Sequence, residues 1–171
     1  MARRRLLPVL GLAIRVAAAA IWLVAGIAKV VDLGHFHAQV EQYRLLPSAL
    51  EAPFAYALPF VEILIGFYLL VGLLIRPAAI GACVLMALFL AAQIQAWARG
   101  LTLDCGCFGA LAHERVGPVT ILRDVALGLP ALVMAVRPAR LASLDSLLLG
   151  LPDAFAPSQT PSNTTAAPDR P

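Results

Sequence analysis

The sequence predicts an all-α integral membrane protein, a four-helix bundle followed by a disordered C-terminal tail. Three observations predict it. Of 171 residues, 61% are apolar and 13% charged, against about 45–50% and about 25% in an ordinary soluble domain, and the mean hydropathy is +0.85. Four apolar stretches reach the roughly 20 residues that a helix needs to cross a bilayer. From Gly150 onward the composition changes to Pro, Ser, Thr and Ala. A small soluble domain keeps too much surface exposed to hide this apolar content, so a water-soluble monomer is excluded. So is disorder over most of the length, since disordered chains are polar and charged. Three cysteines are too few for a disulfide-rich secreted scaffold. The net charge is only +3 and Lys29 is the single lysine among 13 basic residues, a skew that fits GC-rich bacterial coding.

The first span covers about 9–31 and contains Arg15 and Lys29. Arg3, Arg4 and Arg5 followed by apolar residues imitate a signal peptide. The apolar run, however, continues to Val31, beyond the roughly 7–15 residues of a signal core, so the reading is a retained helix. The second span covers about 53–75 with one charge, Glu62, and the third about 77–98 with none. Only Arg76 and Pro77 separate them, which predicts a tight antiparallel hairpin. The fourth covers about 117–136 and carries Arg123 and Asp124 in its opening turns. Pro53, Pro77 and Pro118 fall at helix starts, where a missing N–H costs nothing. Residues 1–149 thus form the membrane domain. Residues 150–171 form a tail whose five prolines argue against a core.

Basic residues orient a bundle, because they collect on the cytoplasmic side. Arg3, Arg4, Arg5, Arg76, Arg137 and Arg140 fall on one side, and Arg44, Arg99 and Arg115 on the other. The expectation is a multi-pass protein of a bacterial inner membrane with both termini in the cytoplasm. The loops around His35–Glu51 and Gly100–Val116 then face outward. His35 and His37 read as solvated loop residues at strand-like spacing, and Cys83 as a packed mid-membrane residue.

The sharpest motif is Asp104-Cys105-Gly106-Cys107-Phe108-Gly109 in the second outward loop. Bridged cysteines keep their Cα atoms about 4.4–6.8 Å apart, so Cys105 and Cys107 pair only if the backbone turns, and Gly106 permits the turn. A ring this small is strained, and strained disulfides are the oxidising, labile kind. The pattern fits a redox pair. An inert disulfide, two thiols, or a metal site with His113 are the alternatives; structural zinc spacings are wider than Cys-x-Cys, and no fourth ligand stands out. Arg99 and Arg115 favour a thiolate on either flank while Asp104 opposes one beside Cys105, which points to Cys107 as the more easily ionised sulfur.

Charges at membrane depth are costly and mark function by default. Counted at about 1.5 Å per residue, Lys29, Gln93, Arg123, Asp124 and Glu62 all fall in the outer half, beneath the cysteine loop. Glu62 is within reach of Arg123, and Lys29 of Asp124 or Glu62. The cluster serves either helix packing or a proton- or substrate-facing role. Arg15 alone occupies the inner half, where it can snorkel to the cytoplasm.

Taken in order, these residues resemble a known family. Ala25-Gly26-Ile27-Ala28-Lys29-Val30-Val31-Asp32, Tyr43-Arg44-Leu45-Leu46-Pro47, Pro59-Phe60-Val61-Glu62 with Gly66 and Gly72, and the Cys-Gly-Cys-Phe-Gly element are similar to the DoxX-like four-helix membrane proteins. The closer likeness is to their branch of methylamine utilisation proteins MauE, over about Arg15 to Val136. The resemblance implies a redox-associated membrane protein that helps mature a disulfide-containing exported subunit. Cys105 and Cys107 would exchange with an exported or periplasmic disulfide protein or with a thioredoxin-like protein. The competing readings are an oxidoreductase passing electrons from the cysteine pair to a membrane quinone, and a small transporter or structural subunit. Whether the chain is itself an enzyme is left open. No metal is expected. No motif points to nucleic acid, and the bilayer is the first partner.

Overall fold

The structure is a computed structural model and describes residues 2–106, 115–139 and 143–150. Among these residues six helices follow one another: α1 (Ala2–Val31), α2 (Leu33–Tyr43), α3 (Ser48–Val71), α4 (Ile75–Ala98), α5 (Pro118–Val136) and α6 (Leu144–Leu149). Among the described residues the only β-type pairing is an isolated bridge between Asp104 and Arg115. Four helices, within α1, α3, α4 and α5, are long and apolar enough to cross a membrane. The sequence-predicted tail from Leu151 lies outside the described residues, as do Cys107 and His113.

The bundle has its large apolar side chains outside and its small ones inside. Ala18, Ala19, Ala78, Ala79, Ala82 and Ala131 are buried with Trp22, Leu69, Ile75 and Met134. Phe60, Leu64, Val84, Leu88, Leu122 and Leu132 are exposed. Lipid tails are as apolar as leucine, so small residues at the interface bring helices together by close packing. The α1–α3 contact illustrates this. A Cβ at Gly66 would lie 2.9 Å from the Leu23 backbone nitrogen, and one at Gly26 would lie 2.8 Å from the Pro59 carbonyl oxygen. These two helices approach backbone to backbone, while α4 packs chiefly on α5.

Three local features differ from the sequence reading. The stretch expected as a loop with solvated histidines is helical from Leu33 to Tyr43. Asp32 interrupts α1 and caps α2, its carboxylate accepting from the His35 N–H at 2.9 Å, as N-cap side chains do. The hairpin turn comprises residues 72–74, not Arg76-Pro77, which belong to the first turn of α4. Asp145 caps that helix by accepting from the Leu74 N–H at 2.8 Å and the Ile75 N–H at 3.1 Å. Arg15 does not snorkel. It is 2% exposed and donates to the Ala139 carbonyl at 3.0 Å, which ties the chain after α5 back onto α1.

Candidate thiol and charge site

The site lies at the end of the bundle where α1 gives way to α2 and α4 to the cysteine loop. That loop is held from three sides. Its Leu101 N–H donates to the Ala96 carbonyl, and its Leu103 carbonyl accepts from Val116 N–H at 2.8 Å. The Tyr43 hydroxyl at the end of α2 donates to the carbonyls of Cys105 (3.1 Å) and Asp104 (3.3 Å). Gly106 has φ +71°, a conformation that favours glycine, and a Cβ there would meet the movable Gln39 Oε1 at 2.9 Å.

So held, Cys105 is 7% exposed and faces two charges from α5. Its Sγ lies 3.4 Å from Asp124 Oδ2, to which the thiol donates, and 3.8 Å from the Arg123 Nη2. Arg123 also grips Asp124, with Nε 3.0 Å and Nη2 2.9 Å from Oδ1. The Gln93 amide of α4 donates to Asp124 Oδ2 at 2.7 Å. One carboxylate oxygen therefore serves the arginine and the other the thiol and the amide. Charge-assisted contacts of this kind are the strong ones.

A second charged pair lies nearby. Lys29 Nζ is 2.8 Å from both Glu62 carboxylate oxygens, and these side chains are 1% and 0% exposed. The ammonium also lies 5.5 Å from the centre of the Phe36 ring and 5.6 Å from that of Phe89. A small cavity of about 20 Å³ is lined by both Glu62 and Asp124.

Of the residues singled out from the sequence, Lys29 and Glu62 meet, and Arg123 reaches Cys105. The alternative of a Glu62–Arg123 pair is corrected. Glu62 belongs to Lys29, and Arg123 turns to its own neighbour Asp124, its Nε and Nη2 both donating to Oδ1. Arg99 donates instead to the Tyr43 carbonyl at 3.1 Å, so the cation facing Cys105 is Arg123. Cys83 is half-buried against the apolar core. Among the described residues, no three His, Cys, Asp or Glu side chains converge as a metal site. Asp124 and Gln93, expected in the charge cluster beneath the loop, do meet there, whereas the sequence assigns Gln39 no role and Tyr43 only a place in the family motif. The stripe Leu33, Phe36, Val40, Tyr43, spaced for one helical face, was the available signal for α2 and for Tyr43's placement.

Fold and site define a four-span helical membrane protein whose buried cysteine is gripped between an aspartate and an arginine at one end. A family model, that of methylamine utilisation protein MauE, matches residues 7–137. The chain is 33% identical to methylamine utilization protein MauE of Paracoccus denitrificans over 72% of this chain and 67% of that protein. It is 37% identical to that of Methylophilus methylotrophus over 76% and 70%, and 32% identical to that of Paracoccus versutus over 83% and 80%. The chain belongs to the MauE family. No solved structure matches it.

Proposed function

We propose that the protein is a membrane thiol–disulfide exchange factor that serves methylamine utilisation by oxidising cysteines of an exported partner. The observation that carries this reading is the position of Cys105 Sγ between Asp124 Oδ2 at 3.4 Å and Arg123 Nη2 at 3.8 Å. An inert packed cysteine needs neither. A sulfur that leaves a disulfide as an anion needs a cation beside it, and one that returns as a thiol needs a proton donor.

The exchange runs in two balanced steps. A thiolate of the partner attacks the Cys107 sulfur of the Cys105–Cys107 disulfide. One S–S bond breaks, a mixed disulfide forms, and Cys105 departs as a thiolate facing Arg123. A second thiolate of the partner then attacks the mixed disulfide at its own first sulfur. The partner keeps the disulfide, and Cys107 is released. Two electrons now reside on the cysteine pair, and the two protons that complete the thiols are those lost by the partner. Asp124 holds the proton next to Cys105. Membership of the methylamine utilisation family supports the metabolic setting, and the Arg bias of the sequence supports the orientation, with the cysteine end outside the cytoplasm.

The test is covalent trapping. In Cys105→Ser the Cys107 thiolate attacks the disulfide of an oxidised partner, one S–S bond breaking as the mixed disulfide forms, and Cys105 is no longer there to cleave it, so that only the partner's own second thiol can release it. Acid-quenched membranes on non-reducing gels should show a higher-mass species that reductant removes. The Cys105→Ser/Cys107→Ser double variant should lack it. If neither single variant traps a partner and both retain full activity in methylamine utilisation, the reading is wrong.

A further inference from the structure

Cys105 faces more than its charged neighbours. It lines a cavity of about 370 Å³ between α2, α3, α4 and the cysteine loop, within the roughly 300–1,000 Å³ of small-molecule sites. The inner wall carries Cys105, Lys29, Gln39 and Gln93, and the Phe36 and Phe89 rings flank it. Leu45, Phe54 and Leu88 line the outer part and are 39%, 38% and 56% exposed. The cavity thus runs from the apolar flank of the bundle to a buried thiol. An occupant must be lipid-soluble, and its polar end must meet the inner wall.

Gln39 says what that end looks like. Its side chain is 5% exposed, and its Oε1 has no hydrogen-bond partner among the described residues. A buried amide oxygen left so is costly, which calls for a ligand group there. The Gln39 Nε2 lies 3.1 Å from the His35 Nε2, and the sense of that bond depends on the histidine tautomer. Turning the amide over and shifting the tautomer presents an N–H to the cavity in place of an oxygen. One site can therefore accept from a hydroxyl and donate to a carbonyl. A quinone and its quinol differ in that respect.

We infer that this cavity binds the ring of a lipid-soluble quinone, with its chain leaving past Leu45, Phe54 and Leu88, and that the quinone is the electron acceptor for Cys105 and Cys107. The acceptor role rests on the exchange reading above; the binding does not. The step balances: two S–H bonds break, one S–S bond forms, and two electrons and two protons pass to the two quinone oxygens, giving the quinol.

The experiment uses the full chain in nanodiscs with decylubiquinone as the probe. Trp22 stacks on Phe89, ring centres 6.5 Å apart, and reports the cavity by quenching once Trp97 is replaced by Phe. Saturable quenching is expected. Ala92→Phe fills the cavity and Gln39→Leu removes the amide without adding bulk; each should weaken binding by about tenfold or more, a difference of roughly 1.4 kcal/mol. Quenching that is not saturable, or that neither variant alters, overturns the site. Displacement by decanol at equal concentration does so too, since it assigns the cavity to an alkyl chain. Mixed anaerobically, the reduced protein should form one quinol per disulfide. Binding without quinol formation overturns the acceptor role, whereas failed trapping with intact quinol formation counts against the partner exchange alone.

Discussion

At the scale of single residues, Asp124 and Arg123 divide the work around one sulfur. A carboxylate that accepts from a thiol takes part in proton transfer, which typically contributes about 10²–10⁴-fold. Asp124→Asn keeps the shape and the Gln93 contact but loses the charge. It should speed the reaction of Cys105 with N-ethylmaleimide at neutral pH, because the carboxylate that opposes a thiolate is gone while Arg123 stays, measured by mass spectrometry in a Cys83→Ser/Cys107→Ser background. Arg123→Lys should restore part of what Arg123→Gln loses, because the lysine keeps the charge without the fork. Unchanged rates in both would remove Asp124 and Arg123 from the chemistry. Lys29 and Glu62 make a different claim. Both are wholly buried, and removing one partner of a buried pair costs about 3–5 kcal/mol because the other charge is stranded. Lys29→Met and Glu62→Gln should each lower thermal stability in detergent more than the double variant does. Additive losses would show that the two side chains act independently.

Elements are joined by contacts that pattern alone does not reveal. The α1–α3 seam depends on two glycines, and Gly66→Ala places a methyl group against the Leu23 backbone nitrogen, 2.9 Å away. A backbone cannot swing aside as a side chain does, so destabilisation of about 1–3 kcal/mol is expected, the cost of overpacking. Asp145 works at the other end of the molecule. It belongs to the six-residue α6 but caps α4, so Asp145→Ala should cost about 1 kcal/mol, the worth of a cap. In a chain of this size that is a fall in melting temperature of about 2–4 °C. Asp145→Asn should recover most of it. A loss confined to the local region of α6, seen by hydrogen exchange with α4 unaffected, would contradict the capping role.

For the whole molecule, the four spans carry both the cysteine loop and the α1–α2 junction to one end. The proposed exchange needs that end outside the cytoplasm, since disulfides persist in oxidising compartments. A reporter active only outside the cytoplasm should work when fused at Ala110 and fail when fused after Arg140. The opposite pattern would reverse the orientation and remove the exported partner from reach. The paired charges at the cysteine end balance, the buried Lys29 against Glu62 and the part-exposed Arg123 against the buried Asp124, so the pairs carry no net charge at membrane depth.

Sequence by itself determined that the chain has four spans, although the second, expected over about 53–75, is the helix Ser48–Val71, and that charge concentrates beneath the cysteine loop. Those properties are local sums: apolar runs, helix length and the count of charged side chains at a given depth. The stripe that marks α2 is also written locally, in Leu33, Phe36, Val40 and Tyr43, and competes with the strand-like spacing of His35 and His37. Which charge meets which was not local. Glu62, Arg123, Lys29 and Asp124 lie at similar depths, and depth alone permits several pairings; only the rotation of each helix about its own axis selects one. That rotation follows from the close approach at Gly26 and Gly66 and from the packing of α4 on α5. It turns Glu62 toward Lys29 and leaves Asp124 to meet Cys105 and Gln93. The cavity beside Cys105 is decided the same way, because it is bounded by residues from α1, α2, α3, α4 and the loop, and no single segment carries its shape.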